Sequence, residues 1–574
     1  MSLRRAALVS VLAAAAACGS QSSEPAPAER KPEPTPPPAW ASATGDMLGP
    51  LPAASKTTST RFTGAEDCGF CHSSEAGSKT LKDAAGRDVS PYNSWKATMM
   101  GLSTRDPYYL AVFRHELDKK PAAAAKLEAT CTRCHAPMGS VERLAQGSSV
   151  HYDDLVGGKG RDQVLAREGV SCTLCHQIRP DNLGTPASYT GGYVIGEDRR
   201  IFGPHADPFV VPMQNHVDYT PEYAAHTEKS DMCGTCHTVI TRALDDAGNA
   251  VGPEFPEQTP YLEWLASKFS DAGPEGKTCQ TCHMPAVDDD GQPIQSPLSI
   301  RPPSGLKSRT LKGRHVFRGG NALMLRLLSE NVEWTGAKVT AEELLAQSQR
   351  DEAMLGLAGT VAVVGARREG DELVVELEVT NDAGHKFPTG YPSRRVVLHV
   401  TATNAAGAVL FESGKIDEFG RVVRRDGKQL DGAGAVLPHR DVITSDEEVQ
   451  VYEAVMADAS GKPVKALIDA TRYVKDNRLL PRGFRADHPA AAMIKPVGVE
   501  GDPGFGNSDR VTVRMKKIPA GATITAELVY QTLRPSELEA LSEAPSPAAL
   551  RLFDMLRRSE KRATVSARAT ATAP

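Results

Sequence analysis

Hydrophobic and polar positions alternate with different periods along this chain, and the changes of period divide it. The first apolar run, 6–17, follows Arg4 and Arg5 and ends at Ala15-Ala16-Ala17-Cys18-Gly19. It is too short to cross a bilayer as a helix. It reads as an export segment of the lipoprotein kind, 1–18, with Cys18 as the lipidated first residue. Residues 19–60 open rich in Pro, Ser, Glu and Ala and read as a disordered tether. From 61 to 357 the apolar pattern is weak and helical only in short stretches. These are 93–103, a helix opened by Asp106-Pro107 as cap and first-turn proline, then 261–270, 321–330 and 341–357. Gly- and Pro-rich stretches such as 179–221 read as loops.

Beyond 357 the period becomes two. Leu373, Val375, Leu377 and Val379 alternate with polar residues, as do Val396, Leu398 and Val400, then Val511 and Val513, then Ile524, Ala526 and Leu528. This predicts an all-β sandwich of Ig-like type over 358–534. The stretch 536–560 predicts one or two helices broken near Pro545 and Pro547, so 535–574 is a C-terminal helix and tail. The expected fold is therefore a mainly-α and loop domain, an all-β sandwich and a closing helix.

Composition adds an exclusion. The 574 residues are 40% hydrophobic and 24% charged with a formal net charge of -5, so no basic surplus points to nucleic acid. Aromatic residues are only 5% of the chain. A weak helical pattern with few aromatic rings fits a core partly built from something other than side chains.

The cysteines say what that is. There are 11, and once Cys18 is set aside all the others fall in C-x-x-C-H motifs. They are Cys68/Cys71/His72, Cys131/Cys134/His135, Cys172/Cys175/His176, Cys233/Cys236/His237 and Cys279/Cys282/His283. The pattern is that of c-type haem attachment, two thiols for the two vinyl groups and the following His for the iron. A disulfide framework would not place His after every second Cys. Structural zinc needs paired knuckles, and five would leave one unpaired. Thioredoxin-like centres do not come in fives. The motifs are unevenly spaced, so this is no array of equal repeats. Five c-type haems follow, in a domain spanning 61–357.

A low-spin haem iron needs a sixth ligand, commonly His or Met. Five further histidines have suitable surroundings: His205 in Phe202-Gly203-Pro204-His205, His216 and His226 ahead of the fourth motif, His315 before a helix, and His385 in a β-domain loop, His385-Lys386-Phe387-Pro388. His115, His151, His399, His439 and His488 read as surface or hydrogen-bonded residues. The Met99-Met100 pair reads as packing, and Asp476-Asn477-Arg478 through Pro481 as a turn.

The chain resembles the cytochrome c-554-type multihaem family. The residues that carry this are Trp95 to Met100 with Arg105-Asp106-Pro107, Cys134-His135-Ala136-Pro137, Gly169-Val170-Ser171-Cys172, Gly203-Pro204-His205, Phe255-Pro256-Glu257-Gln258, Tyr261-Leu262-Glu263-Trp264 and Cys279 to Pro285. The resemblance covers 65–330 and implies closely stacked, mostly bis-His haems that pass electrons in a chain. The family's tetrahaem member has one motif fewer, so its ligand pairing does not transfer. The expected function is electron transfer in the periplasm or at the outer membrane, with redox proteins as partners and the membrane reached through lipid on Cys18. The alternative is a haem oxidoreductase acting on a small nitrogen or sulfur compound at a five-coordinate iron.

Overall fold

The computed structural model describes residues 35–302, 305–432 and 434–574. Cys18 lies outside the described residues. Among those described, no helix is long and apolar enough to cross a membrane.

The alternating runs form two sheets. Strands β1 (Gly359–Glu369), β2 (Glu372–Asn381), β3 (Arg395–Thr403), β4 (Val409–Ser413), β5 (Val442–Ile443), β6 (Val451–Ala457), β7 (Arg472–Asp476), β8 (Ser508–Lys516), β9 (Thr523–Gln531) and β10 (Thr564–Thr572) build them. One sheet has the order β7-β6-β3-β9-β10, with β4 beside β3; the other has β5-β8-β2-β1. All pairs are antiparallel except β5 with β8. Register puts Val511 opposite Leu377 and Val513 opposite Val375, and in the other sheet Leu528 opposite Leu398. With a period of two, these residues share the inner faces and meet in one buried core.

The C-terminal segment differs from expectation. Helices Pro535–Glu543 and Pro547–Arg558 form, each opened by proline in its first turn. The residues after them are not a tail but β10, paired along β9. Its Thr and Ala residues carry too little hydrophobicity to announce a strand, and the ready-made edge of β9 supplies the pairing. Part of the segment expected as a tether, within 35–60, is packed onto the body. Trp40 is fully buried against Phe419 and Phe553, and Arg421 donates to the carbonyl of Pro36.

In the first half of the chain, Asp106 caps helix Pro107–Lys119 by accepting from the Tyr108 and Tyr109 amides at 2.8 and 3.3 Å. Thr340 and Glu343 form a capping box on Ala341–Leu355. The expected helix over 93–103 stops at Trp95, whose indole donates to Val170 O at 2.8 Å and pulls the chain into turns. The expected loop over 179–221 contains a short strand, Arg200–Gly203, and helix Val210–Val217. The largest buried core joins both halves: Leu110, Phe113 and Leu328 pack with Ile468, Leu552 and Phe553.

Candidate functional site

Each C-x-x-C-H motif lies on a helical turn. Three sit on helices Ala65–His72, Ala124–His135 and Cys279–His283. The third motif's helix is Cys172–Cys175, and the fourth continues past Ser230–Gly234 with the His237 amide donating to Cys233 O at 3.0 Å. Residues i, i+3 and i+4 share a helix face. Both thiols and the imidazole of each motif therefore point the same way.

The imidazoles are oriented through Nδ1. It meets Leu298 O at 2.7 Å in His72, Phe202 O at 2.6 Å in His176 and Arg318 O at 2.6 Å in His283, with a longer 3.3 Å contact to Ser103 O in His135. A carbonyl at Nδ1 requires the proton there, which leaves the Nε2 lone pair for a metal. Burial keeps the rings neutral, lowering His135 and His283 to about 4. His237 has no such carbonyl partner among the described residues; Arg394 and His385 lie near it and, after burial, lower it further.

Two of the five additional histidines face a motif histidine. His315 lies 6.1 Å from His176, centroid to centroid, with ring planes 28° apart; His385 lies 6.2 Å from His283 at 29°. A metal–nitrogen bond of about 2.0 Å plus about 1.1 Å from nitrogen to ring centre, on each side, places two ligating imidazoles about 6.2 Å apart. The donor set thus fits an iron between each pair. The thiols fit the same group. Burial pushes Cys175 up to about 12 and Cys131 higher still, so these sulfurs suit neutral thioethers rather than metal thiolates.

Local structure holds both added imidazoles. His315 stands between buried Arg314, paired with Asp289 at 2.6 Å, and Val316, whose carbonyl accepts from Gln347 at 2.7 Å. His385 opens the loop after β2. Asn381 donates to its carbonyl at 2.7 Å. The next residue, Lys386, is buried with its Nζ on Asp476 at 2.6 Å. Its amide donates to Glu263 at 2.9 Å, and the Thr389 hydroxyl bonds the same carboxylate oxygen. Glu263 belongs to helix Pro260–Leu265, so a buried carboxylate of one half clamps the loop of the other. Asp476 is thereby committed to Lys386 and Arg478.

The other three are placed differently. His205 is half-buried beside Arg309 and Lys312, with Glu228 facing it. His216 is exposed, its ring stacked on Phe70 at 4.6 Å. The Nε2 of His226 contacts Ile178 O at 2.8 Å, which leaves only Nδ1 for other use. Among the rest, His151 meets Glu128 at 2.7 Å and His399 lies between Glu412 and Glu527 at 3.2 Å. Met99 packs against the large core.

The motifs touch one another through their sulfurs. The Cys68 sulfur neighbours that of Cys172, Cys134 that of Cys236, and Cys233 that of Cys279. The first motif thus abuts the third and the second abuts the fourth, which also abuts the fifth. Cys175 lies near both Cys233 and Cys236, bringing the third motif near the fourth.

Sequence reasoning missed a polar group beside the second motif. Tyr109 stacks on His135 with centroids 3.9 Å apart and planes 2° apart. Tyr108 and Tyr391 meet edge to face at 6.0 Å. All three hydroxyls are buried with no hydrogen-bond partner. Glu257 is buried nearby, its carboxyl raised to about 8 by burial and then by the charge of Glu116. The run Asp106-Pro107-Tyr108-Tyr109 carried a signal, two adjacent tyrosines at a capped helix start, but no period marks them as inward-facing.

No family model and no curated protein matches the chain. Among solved structures, it is similar to a penta-heme cytochrome c552 from Thermochromatium tepidum, with 18% identity and a TM-score of 0.49, covering 89% of this chain and 99% of that one.

Proposed function

We propose that this chain is a multihaem c-type cytochrome that carries five covalently attached haems and transfers electrons outside the cytoplasm. The observation that carries this reading is the pair of facing imidazoles, His176 with His315 and His283 with His385, each spaced for one iron. Haem iron, when bound, accepts and gives up single electrons. The residues of the chain hold that chemistry in place. The ten motif cysteines would attach the porphyrins, and His72, His135, His176, His237 and His283 would be proximal ligands. Carbonyls at Nδ1 fix ring orientation and raise the basicity of Nε2. His315 and His385 would close the sixth positions of two irons; His205, His216 and His226 remain candidates for others. A filled sixth position suits conduction, because it leaves no site for substrate. The sulfur contacts support a branched path in which the fourth motif is the junction. In this reading the sandwich is Ig-like, and it donates His385 instead of merely docking. Redox proteins are the partners, and lipid on Cys18 holds the molecule in the periplasm or at the outer membrane.

A second reading has its own observation. Beside His135 stands Tyr109, its buried hydroxyl without a partner like those of Tyr108 and Tyr391, and the raised carboxyl of Glu257 lies near Cys131 of the same motif. Unsatisfied buried polar groups near a redox centre favour an open, reactive haem acting on a small nitrogen or sulfur compound. Spectroscopy separates the two. Five haems by pyridine haemochrome, all low-spin by EPR and resonance Raman, support the wire. A persistent high-spin iron, sensitive to substitution of Tyr109, supports the enzyme. Fewer than five haems defeats both.

A further inference from the structure

We infer that Asp351 sets the reduction potential of the iron held by His283, acting on that imidazole through a single peptide unit. The inference rests on the reading of His283 as a haem ligand. His283 Nδ1 donates to Arg318 O at 2.6 Å. The N–H of the same peptide, that of Gly319, donates to Asp351 Oδ1 at 3.1 Å. A trans peptide points its C=O and N–H in opposite directions, so this one stands between imidazole and carboxylate and bonds both. Asp351 is thus a positioning residue, one hydrogen bond beyond the carbonyl that orients the ring.

The surroundings hold this bridge in place. Asp351 lies on helix Ala341–Leu355, one turn after Gln347 on the same face. Gln347 Nε2 donates to Asp351 Oδ1 at 3.1 Å and to Val316 O at 2.7 Å, so the segment that carries His315 is tied to the same carboxylate. The amide of Asn321 faces it as well. Phe317, just before the bridging peptide, has φ 34°, a left-handed conformation rare for a bulky side chain. Asp351 is buried, yet among the described residues no Lys, Arg or His pairs with it. Arg394, just before β3, acts on it from farther away, as does Arg350 on its own helix; Tyr530 of β9 lies near. Buried carboxylates usually sit on a cation. This one sits on N–H groups, so its charge is passed on to what those groups belong to.

The direction of the effect follows from the chain of bonds. An ionised Asp351 polarises the 318–319 peptide and puts more negative charge on Arg318 O. That oxygen then draws harder on the Nδ1 proton, and Nε2 becomes a better electron donor. The more positive, oxidised iron gains most, so the potential falls. The carboxylate charge acting through space has the same sign. The effect is confined to one iron. The carbonyls that meet His72, His135 and His176 belong to Leu298, Ser103 and Phe202. Among the described residues, no carboxylate accepts from the amides that follow them, those of Ser299, Thr104 and Gly203.

The test is a spectroelectrochemical titration of the intact holoprotein. Burial raises the Asp351 carboxyl to about 7, so the titration is run well above that pH, with the group charged. His385→Ala, which opens the same iron, identifies which midpoint is its own. Asp351→Asn keeps the shape and an acceptor for Gly319 N–H but removes the charge. It should raise that one midpoint by about 59 mV, a tenfold gain in the ferrous-to-ferric ratio at fixed potential, and move the others less. Asp351→Ser should act in the same direction and serves if the Asn variant does not fold. Glu352→Gln removes a charge one residue away, from a carboxylate that pairs with Arg326 at 3.1 Å and Lys561 at 2.6 Å, and should leave the midpoints unchanged. An unchanged or lowered midpoint in the Asp351 variants overturns the inference, as does an equal shift from Glu352→Gln. A protein in which His385→Ala converts no iron overturns the ligand reading beneath it, and the inference falls with that reading.

Discussion

Asp476 is the residue whose loss should be felt most strongly by a distant imidazole. Its carboxylate takes Arg478 in a two-pronged pair, Nε and Nη2 at 2.7 Å each, and Lys386 Nζ at 2.6 Å. The side chains of Lys386, Asp476 and Arg478 are 1, 2 and 6% exposed. Burial alone would raise the carboxyl; the charges of Arg478 and Lys386 outweigh it and hold Asp476 at about 2. Asp476→Asn leaves two buried cations facing a neutral amide, which costs about 3–5 kcal/mol. Lys386→Met removes one cation and keeps the Asp476–Arg478 pair whole, so it should cost about 0–2 kcal/mol. Urea unfolding at pH 7 measures both, and EPR counts high-spin iron in the folded protein. Because Lys386 adjoins His385, Asp476→Asn should also raise the high-spin fraction of the His283 iron. The depressed carboxyl stabilises the fold above pH of about 4, and that stability is lost as pH falls through about 2. Equal costs for the two variants, or an unchanged urea midpoint for Asp476→Asn, would refute the reasoning.

His315→Ala and His385→Ala should each convert one low-spin iron to high-spin, and the double variant two; resonance Raman spin-state bands report the count. Replacing Cys131 and Cys134 together with Ala should remove one haem, seen as the loss of one haem mass from the intact protein. Glu116 accepts from the Leu467 and Ile468 amides and is pushed up to about 7 by burial, against those hydrogen bonds. The native state then binds the extra proton, so this group makes stability fall as pH rises from about 4.5 to about 7; Glu116→Gln should flatten that slope in urea midpoints taken between pH 4.5 and 7.

The placement of the C-x-x-C-H motifs was legible because it is local: five residues on one turn bring two thiols and an imidazole to one face, and no distant contact enters. The inner strands were legible for a similar reason, since Leu373 to Val379 show their period without a partner. β10 was not, because Thr564–Thr572 is a strand only by virtue of the β9 edge. The second imidazoles lie between these cases. The stiff surroundings of His315 and His385 mark them as held, and both come to face a motif ring. The similar stiffness of Gly203-Pro204-His205 brings its imidazole instead beside Arg309 and Lys312. What separates the outcomes is long-range: His385 is set by Glu263 on a helix 122 positions away in the chain and by Asp476 on a third element, neither of which adjoins it in sequence.

The change of period near residue 357 marks a change of secondary structure and not a separation of cores. Phe113 and Leu328, before it, share a buried cluster with Ile468, Leu552 and Phe553 after it. Glu116 bonds the backbone at Leu467 and Ile468, and Glu263 bonds that of Lys386. Each contact buries a carboxylate of the first half against amides of the second, where leaving it unmet would cost more than an exposed pair could return. The halves are therefore coupled by groups that tolerate little slippage. The same coupling sets His385 at 6.2 Å from His283. A ligand supplied across such an interface binds only when both halves are seated, so the spin state of one iron becomes a measure of how the whole chain is assembled.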